Sequence, residues 1–336
     1  MTILLTGAAG FIGLHVARAL LARGEAVLGL DNLNPYYDPA LKQARLAQLA
    51  GTPGWRFVHV DFADAAALAA ATDGERVTRP ITRIVHLGAQ AGVRYSLENP
   101  AAYAQSNLVG HLNLLELARH ARVAHMVYAS SSSVYGGNTK LPFALSDRVD
   151  SPVSLYAATK KSGELLAESY AHLFRTPLTG LRFFTVYGPW GRPDMALWQF
   201  ADAILAGRPI RLFNHGDMSR DFTFIDDITT GVLAALDRPP ADDGSEKPGG
   251  SRSPHALYNL GNSRPEPLLT LVATLEDALG VKAIRQLHPM QPGDVHATFA
   301  DIAEAARDLG FAPTTSLAEG IPRFTSWFRQ WRDRSA

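Results

Sequence analysis

The sequence predicts an α/β protein in which a doubly wound parallel sheet is followed by a smaller C-terminal α/β lobe. Apolar, strand-like runs alternate with amphipathic stretches through the first half of the chain. A glycine-rich turn, Gly7-Ala8-Ala9-Gly10-Phe11-Ile12-Gly13, joins the first run to the first helix, and an acid, Asp31, ends the second run. Such alternation implies parallel strands, because each helical crossover returns the chain to the same end of the sheet. With 336 residues the chain can bury a large core. It reads as two lobes, residues 1–182 and mostly 183–336, with a segment near 215–240 returning to the first.

The first strand is Thr2 to Thr6 and the first helix Phe11 to Arg23. Gly7, Gly10 and Gly13 let the backbone approach a pyrophosphate, which then rests on the positive helix N-terminus near Phe11 and Ile12. The next strand is Ala26 to Leu30, and an acid in the place of Asp31 hydrogen-bonds ribose hydroxyls. Asn32 follows, with no Arg or Lys before Lys42. A 2′-phosphate would meet Asp31 with no cation to offset it, so NAD is expected rather than NADP. Further strands are read at Trp55-Val60, Arg83-Leu87 and His125-Ala129, and helices at Pro39-Ala50, Ala63-Ala71 and Pro100-Arg119. The last helix has Asn99 as its cap and Pro100 in its first turn. Thr72-Pro80 reads as a loop.

Beyond Arg182 the pattern loosens. Short strands at Ile210-Phe213 and Leu257-Asn259, with helices at Met195-Ala206, Pro267-Leu279, Ala300-Leu309 and Ile321-Trp331, make up the smaller lobe. Arg238-Pro254 is an exposed loop by composition, and the aromatic last helix (Phe324, Trp327, Phe328, Trp331) is a lobe-packing face. Acidic and basic residues balance at 32 each, without a basic tract, which gives no electrostatic case for nucleic acid. No apolar run approaches a membrane span, and a strand directly after Met1 leads us to expect no signal peptide. The chain has no cysteine, and its 11 histidines lack metal-ligand spacing, so no metal is expected. A cytoplasmic enzyme is compatible with all of this.

Tyr156 and Lys160 carry the chemistry. Four residues apart on a helix, they share one face. A nearby ammonium favours a phenolate, and such a tyrosine can take a proton from a sugar hydroxyl. Candidate groups also gather at the carboxyl ends of strands: Asp61, Gly88-Ala89-Gln90, and Ser130 to Ser133.

Together with Leu181-Arg182-Phe183-Phe184-Thr185-Val186-Tyr187-Gly188-Pro189, these motifs resemble the nucleotide-sugar epimerases of the extended short-chain dehydrogenase/reductase superfamily, whose core is a Rossmann-type fold. Asn32-Leu33-Asn34-Pro35-Tyr36-Tyr37-Asp38, Gln90 to Ser96 and Gly191-Arg192-Pro193-Asp194-Met195-Ala196 look like the UDP-glucuronate 4-epimerases. Arg220 to Asp227 and Met290 to Val295 match the same family. Gly88 is a departure, since the family pattern has alanine there.

The resemblance implies that Tyr156 is the base on the sugar 4-hydroxyl, that Lys160 lowers its pKa and binds the nicotinamide ribose, and that Ser131 holds the reacting oxygen. A serine cluster after a strand also satisfies loop backbone groups. Asn32, Asp61, Phe62, Leu87, Ala89, Gln90, Asn107, Phe183 and Val186 are implied NAD contacts. Ser132 and Ser133 stand where related dehydratases carry Asp-Glu and related uronate decarboxylases carry Glu at the second position. Arg192 and Thr185 are implied to grip a uronate carboxylate, although Arg192 also reads as a loop surface residue. Arg220 is placed on the diphosphate, Phe213 near the uracil and Asp294 near its ribose; Arg94 reads as either a substrate contact or a structural ion-pair residue. The implied reaction interconverts UDP-glucuronate and UDP-galacturonate through tightly bound NAD in a homodimer. Its rivals are a neutral UDP-hexose epimerase, a uronate decarboxylase and a non-catalytic NAD-binding scaffold.

Overall fold

The computed structural model describes residues 1–291 and 295–335. The first half runs β1 (Thr2–Thr6), α1 (Phe11–Ala22), β2 (Ala26–Asp31), α2 (Pro39–Ala47), β3 (Trp55–His59), α3 (Ala65–Thr78), β4 (Ile81–His86), α4 (Tyr95–Glu98), α5 (Pro100–Tyr103), α6 (Gly110–Ala121), β5 (His125–Ser131), α7 (Leu155–Phe174) and β6 (Leu178–Phe183). A π-helical stretch, Ala104–Val109, joins α5 to α6, and a 3-10 turn, Ser132–Tyr135, follows β5. The second half continues with β7 (Thr185–Tyr187), α8 (Ala196–Leu205), β8 (Ile210–Leu212), β9 (Ser219–Phe224), α9 (Ile225–Leu236), β10 (His255–Leu260), β11 (Pro265–Pro267), α10 (Leu268–Leu279), β12 (Arg285–Leu287), α11 (Ala303–Leu309) and α12 (Leu317–Ser335).

Seven parallel strands form one sheet in the order β10-β6-β5-β4-β1-β2-β3. The order reverses between β1 and β4, and a doubly wound sheet opens its binding crevice at that point. Side chains alternate across the strands. Ile3 and Leu5 of β1 pack in one buried cluster with Leu14 and Ala17 of α1 and Ile228 and Val232 of α9. Leu4 joins the cluster on the opposite face, with Leu68 of α3, Leu114 of α6 and Ala167 of α7. Burial of both faces explains why the strands read as unbroken apolar runs.

Three readings need correction. Leu257-Asn259 reads as a strand of the smaller lobe, but it lies in β10, which pairs parallel to β6 at the edge of the large sheet. Thr72-Pro80 is not a loop throughout, because α3 continues to Thr78. The Thr72 hydroxyl turns inward and donates to the Leu68 carbonyl at 2.9 Å, so a residue that reads as a loop signal is absorbed by the helix. Pro100-Arg119 is not one regular helix but α5, the π-helical stretch and α6. The expected aromatic packing face is present: Phe324 and Phe328 are buried, while Trp327 and Trp331 pack on Trp190. No described helix is long and apolar enough to cross a membrane.

Candidate active site

The glycine-rich turn lies at the carboxyl end of β1. Gly7 adopts φ 69°, and a Cβ there would come within 2.7 Å of the Gly88 nitrogen. A Cβ on Gly13 would sit 2.0 Å from the Gly7 carbonyl oxygen. Both positions therefore exclude side chains, and the cradle stays open. No side chain caps the N-terminus of α1, which leaves its first amides for an anion. These features fit a dinucleotide pyrophosphate. Gly88 has a local cause: a Cβ there would meet Cε1 of Phe62 at 2.6 Å. The Phe62 ring fills the space an alanine methyl would take and packs edge-on against His86.

At the ribose end, Asp31 Oδ2 accepts from the Ala9 amide at 3.2 Å and Oδ1 from the Leu33 amide at 2.9 Å. Lys42 corrects the expectation that no cation accompanies this acid. From α2 its Nζ reaches Asp31 Oδ1 at 3.4 Å and Asn34 Oδ1 at 3.1 Å. That cation is committed to the carboxylate, so Asp31 still occupies the place a 2′-phosphate would need. Asn32 Nδ2 donates to Asp61 Oδ2 at 3.0 Å, which holds these two side chains together.

Beyond β4, the amide of Gln90 donates to Asn107 Oδ1 at 2.8 Å, and Asn107 Nδ2 donates to the Gln90 carbonyl and to Thr159 Oγ1. Asn107 thereby ties Gln90, and with it the end of the segment 87–90, to α7 from the π-helical stretch, a geometry often found at functional sites. Helix α7 is capped by Ser154, whose Oγ accepts from the Ala157 amide, and presents Tyr156 and Lys160 one turn apart. Lys160 Nζ donates to the Ala129 carbonyl at 2.9 Å. Burial, and secondarily the charge of Arg192, push Lys160 down to about 8.

Burial raises the Tyr156 phenol above its ordinary value; a hydrogen bond with Ser131 and the charge of Arg192 oppose it. Lys160 lies 6.0 Å from the Tyr156 ring centroid and spends a proton on Ala129. Ser131 and Arg192 thus join the groups around Tyr156 that favour its phenolate. Arg192 grips Asp194 with two parallel bonds, Nε to Oδ1 at 3.0 Å and Nη2 to Oδ2 at 2.9 Å.

Among the other candidates, Ser131 Oγ accepts from the Ser133 amide at 3.1 Å, with Ser132 and Ser133 half-buried in the 3-10 turn. Thr185 opens β7 half-buried, while Phe183 and Val186 are buried. Arg94 lies over the Phe213 ring at 4.7 Å, so these two form a second group. Arg220 Nη1 donates to the carbonyls of Ser219 and His296. Asp294 lies outside the described residues.

Several contributors escaped the sequence reading. Tyr36 donates to Asp194 Oδ2 at 3.2 Å. The ring of Tyr103 meets that of Tyr156 edge-on at 6.1 Å. Arg45, fully buried on α2, donates to the carbonyls of Ala9, Trp190 and Gly191 and to the Tyr37 hydroxyl. Tyr36 and Asp194 stood inside recognised motifs, but only the fold shows that they meet.

A doubly wound crevice with a glycine cradle at one end and a Ser-Tyr-Lys cluster at the other defines a nicotinamide-dependent enzyme of the short-chain dehydrogenase/reductase type. More narrowly, the chain belongs to the NAD dependent epimerase/dehydratase family, whose model matches residues 3–248. A probable UDP-glucuronate 4-epimerase of Rhizobium meliloti (strain 1021) is 50% identical over 338 residues, covering 98% of this chain and 97% of that relative. UDP-glucuronate 4-epimerase 3 of Arabidopsis thaliana is 51% identical over 335 residues, covering 97% of this chain and 76% of its own. The solved UDP-glucuronic acid 4-epimerase from Bacillus cereus, in complex with UDP-glucuronic acid and NAD, superposes with a TM-score of 0.87 at 32% identity, covering 98% of this chain and all of that one.

Proposed function

We propose that the enzyme interconverts UDP-glucuronate and UDP-galacturonate by transient oxidation at C4 of the sugar. The observation that carries this reading is the Arg192 guanidinium, oriented by Asp194 at 3.0 and 2.9 Å, whose charge is felt at Tyr156. On a hexuronate the C4 hydroxyl and the C6 carboxylate are neighbours, so a proton-transfer group and an anion fork are needed side by side. The half-buried serines at 132 and 133 supply no extra carboxylic acid for elimination or decarboxylation.

Bound NAD would supply the hydride acceptor and donor at C4. Gly7, Gly10, Phe11, Ile12 and Gly13 would hold its pyrophosphate, with Asp31, Asn32, Asp61 and Phe62 at the adenosine end. Leu87, Ala89, Gln90, Asn107, Phe183 and Val186 would surround the rest. Tyr156 takes the proton of the 4-hydroxyl and returns it after the ring has turned, with Ser131 holding the oxygen and Lys160 the nicotinamide ribose. Arg192 and Thr185 fix the carboxylate of the 4-keto intermediate, a β-keto acid, in an orientation that resists loss of carbon dioxide. Arg220 meets the diphosphate and Phe213 the uracil, with Arg94 over the Phe213 face.

In the same reading, residues 1–182 with α9 and β10 form the NAD-binding part, and most of 183–336 binds the sugar nucleotide. A homodimer is supported by α6 and α7, which leave Leu112, Leu165 and Leu173 exposed. A multiply charged sugar nucleotide does not cross a bilayer unaided, and the enzyme is placed in the cytoplasm with it. The test is NMR product analysis after adding UDP-glucuronate to the purified enzyme without added NAD. UDP-galacturonate should accumulate to equilibrium. A UDP-pentose with released carbon dioxide, or turnover of UDP-glucose alone, would refute the assignment.

A further inference from the structure

We propose that Asp194 is a positioning residue that fixes Arg192 for recognition of a carboxylated sugar, with Tyr36 holding Asp194 in turn. The proposal rests on the reading of the site as a uronate site. Asp194 engages the Nε and Nη2 edge of the guanidinium at 3.0 and 2.9 Å. That is the side-on face of the fork, and it leaves the Nη1 end for a second carboxylate. The two residues are two positions apart in the irregular segment between β7 and α8, where no helix or sheet ladder would otherwise set the side chain.

Tyr36 comes from a different part of the chain, the loop after β2, and its hydroxyl donates to Asp194 Oδ2 at 3.2 Å. A glycine makes room for it: at Gly92, with φ 96°, a Cβ would sit 2.2 Å from the Tyr36 hydroxyl oxygen. Asp194 therefore accepts three directed hydrogen bonds through its two oxygens, and its rotamer is held from both sides.

The charge balance gives the arrangement a purpose. Arg192 is only partly exposed, its side chain at 28%, and its charge acts on Lys160 as well as on Tyr156. Without a counter-charge, a mobile guanidinium would sit beside a second cation. Paired with Asp194, it presents one oriented end to the sugar. A uronate carboxylate then meets a fixed donor, while a neutral hydroxymethyl group gains nothing from it. Asp194 thus sharpens selection for the charged sugar through Arg192, without touching the sugar, while its own charge partly offsets that of Arg192 at Tyr156.

A double-mutant cycle tests this on the holoenzyme. Asp194→Ala should raise KM for UDP-glucuronate about 10-fold or more, as misplacement of a binding group does, while kcat changes less. Asp194→Asn should fall between it and wild type, because an amide oxygen still accepts from Arg192. The inhibition constant of UDP-glucose, a neutral analogue, should stay within about twofold. In an Arg192→Ala background, Asp194→Ala should add nothing further. Unchanged KM, equal losses for charged and neutral ligands, or additive losses in the cycle would overturn the proposal while leaving uronate turnover by wild type intact. Absence of that turnover in wild type would overturn the functional reading and this proposal together.

Discussion

At the residue scale, Tyr156 and Lys160 are placed by one helix turn but tuned by groups far away in sequence. Burial alone would make the phenol a poor base, and Ser131 and Arg192 work against it. Lys160 is pushed down to about 8, chiefly by burial. It is an ammonium below that pH and neutral above it, so the cation expected to hold the nicotinamide ribose is lost as pH rises. Affinity for NAD, which does not need Tyr156 ionised, should therefore be constant below about pH 8 and weaken on the alkaline side. A dissociation constant for NAD that stays unchanged to pH 10 would contradict this role for Lys160. The Tyr-Lys spacing was legible because helical periodicity is local. The pairing of Lys42 with Asp31 was not, because α2 folds back across eleven positions of chain.

At the element scale, α7 is tied to the sheet by a buried ion pair. Glu164 accepts from Arg182 Nε at 2.8 Å and Nη2 at 2.9 Å, with both side chains almost fully buried. Burial pushes the carboxyl up, but Arg182 prevails and holds it below its ordinary value. Ser130 and Lys161 also donate to Glu164, and Tyr135 accepts from Arg182. Arg182→Ala should cost about 3–5 kcal/mol, because it leaves a carboxylate buried without its main partner. Urea denaturation at pH 7 should show this as a lower midpoint. The wild-type pair stabilises the fold while Glu164 is ionised and is lost as pH falls through its folded pKa, so the gap between the two proteins should narrow in acid. An unchanged midpoint would mean that the network contributes nothing net. Among the elements, those of the first half followed from periodicity and turn residues. The place of β10 did not, since a short apolar strand reads the same at the edge of a large sheet as in a small lobe.

At the scale of the whole molecule, the glycine cradle, the Ser-Tyr-Lys cluster and the family motifs all point to one site from the sequence alone. The part that remained hidden was how one loop reaches another, as Tyr36 reaches Asp194, because loops have no period to read. Arg45 is the extreme case. Its buried guanidinium bonds the Ala9 carbonyl of the glycine-rich turn on one side and the Trp190 and Gly191 carbonyls, just before Arg192, on the other. Burial lowers its pKa, so it is held as a cation mainly by carbonyl dipoles rather than by a carboxylate in contact. Occupancy at one end should therefore be felt as rigidity at the other. Loading NAD should slow amide hydrogen exchange across residues 188–195 of this chain, and Arg45→Met should abolish that protection while leaving it intact around Gly7 to Gly13. If exchange across residues 188–195 ignores the cofactor, the two loops breathe independently.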